Sequence, residues 1–143
     1  MQKKTSNFED LQVWKSAHLF VLSVYKTTKL FPKDELFGLT SQFRRAAISV
    51  AANIVEGYKK RGVKDKLRFY NISEGSADEC RYYTILSKDL EYISVEEFDY
   101  LNSQILSVSK QLSAYSTAIE RNSKFGGKSK LQNLLFSFLS FFY

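Results

Sequence analysis

A chain of 143 residues with 44% apolar and 15% aromatic residues, one Pro and six Gly suits a single packed domain and excludes a disordered or collagen-like polymer. Its one Cys excludes an internal disulfide framework, and no charged-then-apolar leader with a small-residue cleavage site opens the sequence, so the expected compartment is the cytoplasm. The net charge of +6 is unevenly spread, with +3 over residues 1–58, +5 over 59–68, −6 over 69–120 and +4 over 121–143, which sets an anion-facing region near 59–68 against a solvated acidic stretch.

Ser6-Asn7-Phe8-Glu9 has the S-x-x-E form in which Ser caps the first free amides of a helix and Glu returns a bond to the cap residue. Leu11, Trp14, Ala17, Val21, Val24, Thr28 and Phe31 then recur every three or four positions up to Pro32, which pushes its predecessor out of helical geometry. A first helix over 7–30 is expected. Asp34 and Glu35 put acid where a second helix N-terminus is positive. Leu36, Leu39, Phe43, Ala47, Val50, Ile54 and Tyr58 carry its stripe to residue 60, closed by cations and Gly62. A third stripe at Phe69, Ile72, Ser76, Cys80, Tyr83, Leu86, Leu90 and Ile93 predicts a helix over 63–92.

Ser94-Val95-Glu96-Glu97 repeats the capping box, and Phe98, Leu101, Ile105, Val108, Leu112, Tyr115 and Ile119 give the fourth helix the most regular pattern. No segment shows strand-like alternation. Four long amphipathic helices with short connections predict an all-α, antiparallel up-down four-helix bundle over residues 1–122. A flexible basic linker, SKFGGKSK (123–130), and a short apolar tail, LQNLLFSFLSFFY (131–143), are expected to follow. The tail is shorter than the ~20 residues of a membrane span. It reads as a helix docked on its own bundle, an oligomer contact, or a membrane-surface anchor helped by Lys124, Lys128 and Lys130.

Val13, Leu19, Phe20 and Leu22 fall off the first stripe, and Tyr82 and Ile85 off the third; apolar surface of that kind predicts a homo-oligomer. On the second helix, Arg45, Ser49, Ala52 and Glu56 share one side, with Asn53 between it and the core stripe. Gly75, Ser76 and Glu79 are the matching small and polar positions on the third, and a mid-helix Gly costs ~1 kcal/mol against Ala unless packing repays it. The two helices are expected to meet there, with Arg45, Asn53, Glu56, Ser76 and Glu79 in a buried or half-buried polar network that fixes register. A catalytic reading would pair Glu56 with Glu79, but no nucleophile or oxyanion donors accompany them, so no catalytic residue is assigned. The lone His18 and Cys80 are expected in core or surface roles, with no metal site. No phosphate-cradling glycine motif occurs and no cofactor is expected.

The run KKRGVKDKLR concentrates Lys59, Lys60, Arg61, Lys64, Lys66 and Arg68 at a helix junction, flanked by Tyr58, Phe69 and Tyr70. Such cations neutralise phosphates while a ring stacks on an unpaired base; a solvated turn balancing the acidic half is the other reading. In an oligomer the patch would be multiplied, strengthening a weak footprint by avidity.

The segments FEDLQVWK, FPKDELFGLTSQFRRAAISVAANIVEG and SEGSADEC, within residues 7–120, resemble the bacterial four-helix bundle proteins encoded in intervening sequences of 23S rRNA genes. That resemblance implies a left-handed up-down bundle assembling into a pentameric ring, with no established enzyme activity and a link to ribosomal RNA. Accessory proteins of diversity-generating retroelements are similar in fold, implying the alternative of a protein-interaction scaffold that engages a reverse transcriptase. The family's signature positions fall on Arg44, Arg45, Asn53, Glu56, Gly57, Gly75, Ser76 and Glu79.

Overall fold

The computed structural model describes residues 6–139, with side chains through residue 126. Among these residues are four long helices and no strand: α1 (Gln12–Thr28), α2 (Leu39–Lys59), α3 (Val63–Asp89) and α4 (Val95–Leu139), with short 3-10 turns at Phe8–Asp10 and Lys33–Glu35. The order α1–α2–α3–α4 closes on itself, because α1 also packs on α4 while the backbones of the diagonal pairs stay more than 8 Å apart. Short connections make neighbours antiparallel, so this is the expected all-α four-helix bundle.

The first cap lies one residue beyond its expected place. Asp10, not Glu9, accepts from Ser6 N–H (2.8 Å), Ser6 Oγ–H (2.9 Å) and Asn7 N–H (3.3 Å). These bonds, the Ser6 backbone N–H first, hold the Asp10 carboxyl below its ordinary range. The second box forms as expected, with Ser94 N–H donating to Glu97 (2.8 Å) and Glu97 N–H to Ser94 Oγ (3.1 Å). Glu35 does two jobs where α2 begins. Its Oε2 accepts the Leu39 N–H at 2.8 Å, and its Oε1 accepts the Tyr92 hydroxyl at 3.2 Å, tying the α3–α4 connection to α2.

α3 ends in a Schellman turn: Tyr92 N–H donates to Ser87 O and Glu91 N–H to Lys88 O, both at 2.9 Å. Glu91 takes φ 61° there, where glycine is the usual occupant.

The core is built from Val24, Phe20, Phe43, Val50, Ile54, Tyr70, Leu101, Ile105, Val108 and Leu112, all fully buried. Val13 and Phe20 belong to it, correcting their assignment to the outer flank; α1 is rotated so that Trp14 and Val21 are only half-buried. The α3 stripe is corrected more deeply. Its buried face is Tyr70, Ser73, Ser76, Ala77, Cys80, Thr84 and Ser87, while Ile72 and Leu90 are exposed. Small side chains let α2 and α3 make the most extensive helix contact in the molecule. The hydroxyls are satisfied: Ser73 donates across the contact to Val50 O of α2 (2.7 Å), and within α3 Thr84 donates to Cys80 O (2.8 Å) and Ser87 to Tyr83 O (2.6 Å).

Where a flexible linker is expected, α4 continues as helix through 123–130. Two glycines weaken a helix by about 1 kcal/mol each without ending it, and no Pro intervenes. At 1.5 Å per residue, the 45 residues of α4 overrun the 27 of α3, so its last turns pass beyond the end where α3 begins. The side chains of the 131–143 segment lie outside the described residues.

Candidate nucleic-acid interface

The signature positions do different work. Arg44 pins α2 to α1, its Nε–H donating to Thr28 Oγ1 at 2.8 Å while its guanidinium covers the Tyr25 ring at 4.6 Å. Gly57 is buried because the Tyr70 ring occupies the space a side chain would need, with Tyr70 Cε1 2.6 Å from an added Cβ. Asn53 and Ser76 meet through Ser49: the Ser49 and Ser76 hydroxyls lie 2.8 Å apart, and Asn53 Nδ2 donates to Ser49 O (2.8 Å) and Ser49 Oγ (3.0 Å).

The wider network does not extend to the charges. Glu56 is exposed and sits 3.8 Å from Lys60, while Glu79 is exposed and accepts the Tyr83 hydroxyl at 2.7 Å. Arg45 is exposed on the rim of a groove of about 400 Å³ that it shares with Ser49, Ser76 and Glu79. A carboxylate inside so tight a helix contact would lose its hydration without a cation in reach, so the ionised groups stay at its edge. Gly75 is likewise exposed, with nothing within 4 Å of an added Cβ; no packing among the described residues repays its place in a helix.

The cationic run is assembled by the α2–α3 junction. Lys59 and Lys60 close α2, Arg61 and Gly62 form the connection, and Lys64 and Arg68 leave the first turns of α3. Lys59, Arg61, Lys64 and Arg68 are exposed. Lys60 and Arg68 converge on one ring, at 5.1 and 4.9 Å from the centre of Phe69.

Lys66 differs from the other five. Its ammonium turns inward and donates to Gly57 O (2.9 Å) and Tyr58 O (2.7 Å), capping the last carbonyls of α2. Burial pushes its pKa below the ordinary lysine value. Tyr70, expected to flank the run as a stacking ring, is fully buried and packs edge-on against Tyr115 at 5.3 Å. Phe69 is half-buried beneath two cations. Over the run itself the surface therefore offers charge, while Phe125, on the α4 overrun at the same end, is 70% exposed.

Arg68 and Lys64 also line a groove of about 450 Å³ between α3 and α4 with Asp65, Glu74 and Glu120, so acid bounds the patch on that side. Desolvation first, then Asp78, raises the Glu74 pKa above its ordinary value. His18 lies exposed and stacked on Trp14 at 5.0 Å. Cys80 is enclosed in the core, where burial, and Glu79 after it, push the thiol far up, so it is held as an unreactive thiol. Among the described residues no cluster of His, Cys, Asp or Glu is arranged to hold a metal ion, and no helix is long and apolar enough to cross a membrane.

The family model described as 23S rRNA-intervening sequence protein matches residues 9–114. Among solved structures the chain is similar to a protein of unknown function from the S23 ribosomal protein family of Bacteroides thetaiotaomicron. Their sequence identity is 24% and TM-score 0.69, with 73% of this chain and 95% of that chain covered. No curated protein matches.

Proposed function

The chain belongs to the family of 23S rRNA-intervening sequence proteins, and on that footing we propose that it is a non-enzymatic homo-oligomer, a pentamer by family resemblance, that associates with ribosomal or other single-stranded nucleic acid. The observation that carries this reading is the gathering of Lys59, Lys60, Arg61, Lys64 and Arg68 at one end of the bundle, four of them exposed. Lys66 supports the surface from below by fixing α2 against α3. The overrun of α4 leaves the bundle at this same end, and residues 121–143 carry four cations and no acid. The family's name puts its members in an rRNA setting, which agrees with a phosphate-binding surface.

The function is binding through counterion release carried by the cations of the run, since Tyr70 is enclosed and Phe69 lies beneath two cations. The test is fluorescence anisotropy with labelled single-stranded RNA across a salt series. Binding at low ionic strength that falls steeply with salt is expected; no binding even at the lowest salt overturns the reading.

A second reading, a protein-interaction scaffold, is favoured by Phe37, 91% exposed beside the exposed Leu36 at the opposite end of the bundle. Reverse transcriptase is the partner class that retroelement kinship would imply. Pull-downs that survive nuclease treatment distinguish this reading from the first.

A further inference from the structure

Two faces on diagonally opposite helices are left without a partner among the described residues. On α1, Leu19 (58% exposed) and Leu22 (53%) stand on the outer side, flanked by Lys15, Lys26 and Lys29, and α1 contains no acidic residue. On α3, Ile72 (44%) and Tyr82 (57%) stand outward with the open Gly75 between them, beside the exposed Asp78 and Glu79. Both faces are apolar at the centre; the α1 face is rimmed by cations alone, while the α3 face carries Asp78 and Glu79 beside its open middle, with Arg68 one turn before Ile72 and Arg45 of α2 in the groove with Glu79. The α1 face is complementary to the acids of the α3 face and not to itself.

Their heights along the bundle also match. Ser16 of α1 and Gln111 of α4 are joined by hydrogen bonds of 3.2 and 3.0 Å, and Tyr70 of α3 packs on Tyr115 of α4. Gln111 and Tyr115 are one turn apart on α4, about 6 Å. Because α1 and α3 run parallel, Ser16 stands level with residue 74 of α3. Leu19 and Leu22 then stand level with the stretch between Gly75 and Tyr82.

We propose that the α1 face of one copy seats on the α3 face of the next, with Leu19 and Leu22 entering the shallow site that Gly75 leaves open between Ile72 and Tyr82. Faces on opposite sides of a molecule make a head-to-tail contact, which closes into a ring when successive copies meet at one height. The absent side chain at Gly75 gains a reason that packing within one chain does not give: it admits a neighbour's leucines. Lysines facing Asp78 and Glu79 fix the direction of docking. This inference rests on the homo-oligomeric reading above and assigns its contact.

The test measures mass by sedimentation on the full chain and three variants. Gly75→Trp fills a position with no atom within 4 Å in the single chain, so its helicity and melting should stay intact while its mass falls to one chain. The pairs Lys15→Glu with Lys26→Glu, and Asp78→Lys with Glu79→Lys, should each raise the dissociation constant by about tenfold or more. All four reversals in one chain should restore assembly. If the native chain is oligomeric but Gly75→Trp and both reversals leave its mass unchanged, the face assignment is overturned and the oligomer stands. A native chain that sediments as a single copy overturns both.

Discussion

Gly57 and Gly75 lie on facing helices in opposite surroundings, and one substitution separates them. Ala is favoured over Gly inside a helix by ~1 kcal/mol. At Gly75 nothing opposes that gain, so Gly75→Ala should stabilise the single chain by up to that amount. At Gly57 an added methyl meets a Tyr70 ring that is fully buried and backed by Tyr115. Overpacking of a closed core costs about 1–3 kcal/mol and outweighs the propensity gain, so Gly57→Ala should lower the urea midpoint. Glu91 offers the reverse case. It holds φ 61° at the exposed end of α3, where a side chain is strained by about 1–2 kcal/mol, so Glu91→Gly should raise the melting temperature. Neither contrast was legible in the sequence, which marks both glycines as helical and Glu91 as one more acid near a turn.

Between elements, legibility followed side-chain size. α2 and α4 bury large apolar residues at regular spacing, and Phe43, Val50, Ile54, Leu101, Ile105 and Leu112 lie where the pattern puts them. On α3, Ser76 and Cys80 are buried where the pattern puts them, but it also buries Ser73, Thr84 and Ser87, whose hydroxyls carry no apolar signal, while the large Ile72 and Leu90 drew the stripe past the buried side. The same limit applies to the basic run. Its clustering is linear and visible, but Lys66 caps α2 only because the first turn of α3 lies beside the last carbonyls of α2. Lys66→Met should therefore cost stability, about 1–3 kcal/mol for a charge-assisted bond lost, measured by chemical denaturation. It should weaken RNA binding less than Arg61→Gln, whose side chain is exposed; an equal loss would place Lys66 in the binding surface.

For the whole molecule, the bundle was legible because four amphipathic segments with short connections have few other ways to bury their stripes. The length of α4 was not, because a Gly pair signals a break that the backbone need not take. The binding proposed at the basic end has a quantitative signature. Each single-strand phosphate contacted contributes about 0.7 to the slope of log K against log salt. Neutralising Lys59 and Arg61 together, as Lys59→Gln with Arg61→Gln, should lower that slope by about 1.4. An unchanged slope would mean that these two side chains meet no phosphate.

The far end of the bundle is held by Glu35, where the exposed Asp34, Asp89, Glu91, Glu96 and Glu97 outnumber Lys29, Lys33 and Lys88, while Lys59, Arg61, Lys64 and Arg68 crowd the near end. A rod charged oppositely at its two tips feels a torque in the field of a polyanion. It is swung cations-first while still roughly a Debye length away, about 8 Å at physiological salt. In the proposed association, collisions are thus sorted by direction before any bond forms, and the acidic tip is turned outward, away from the strand.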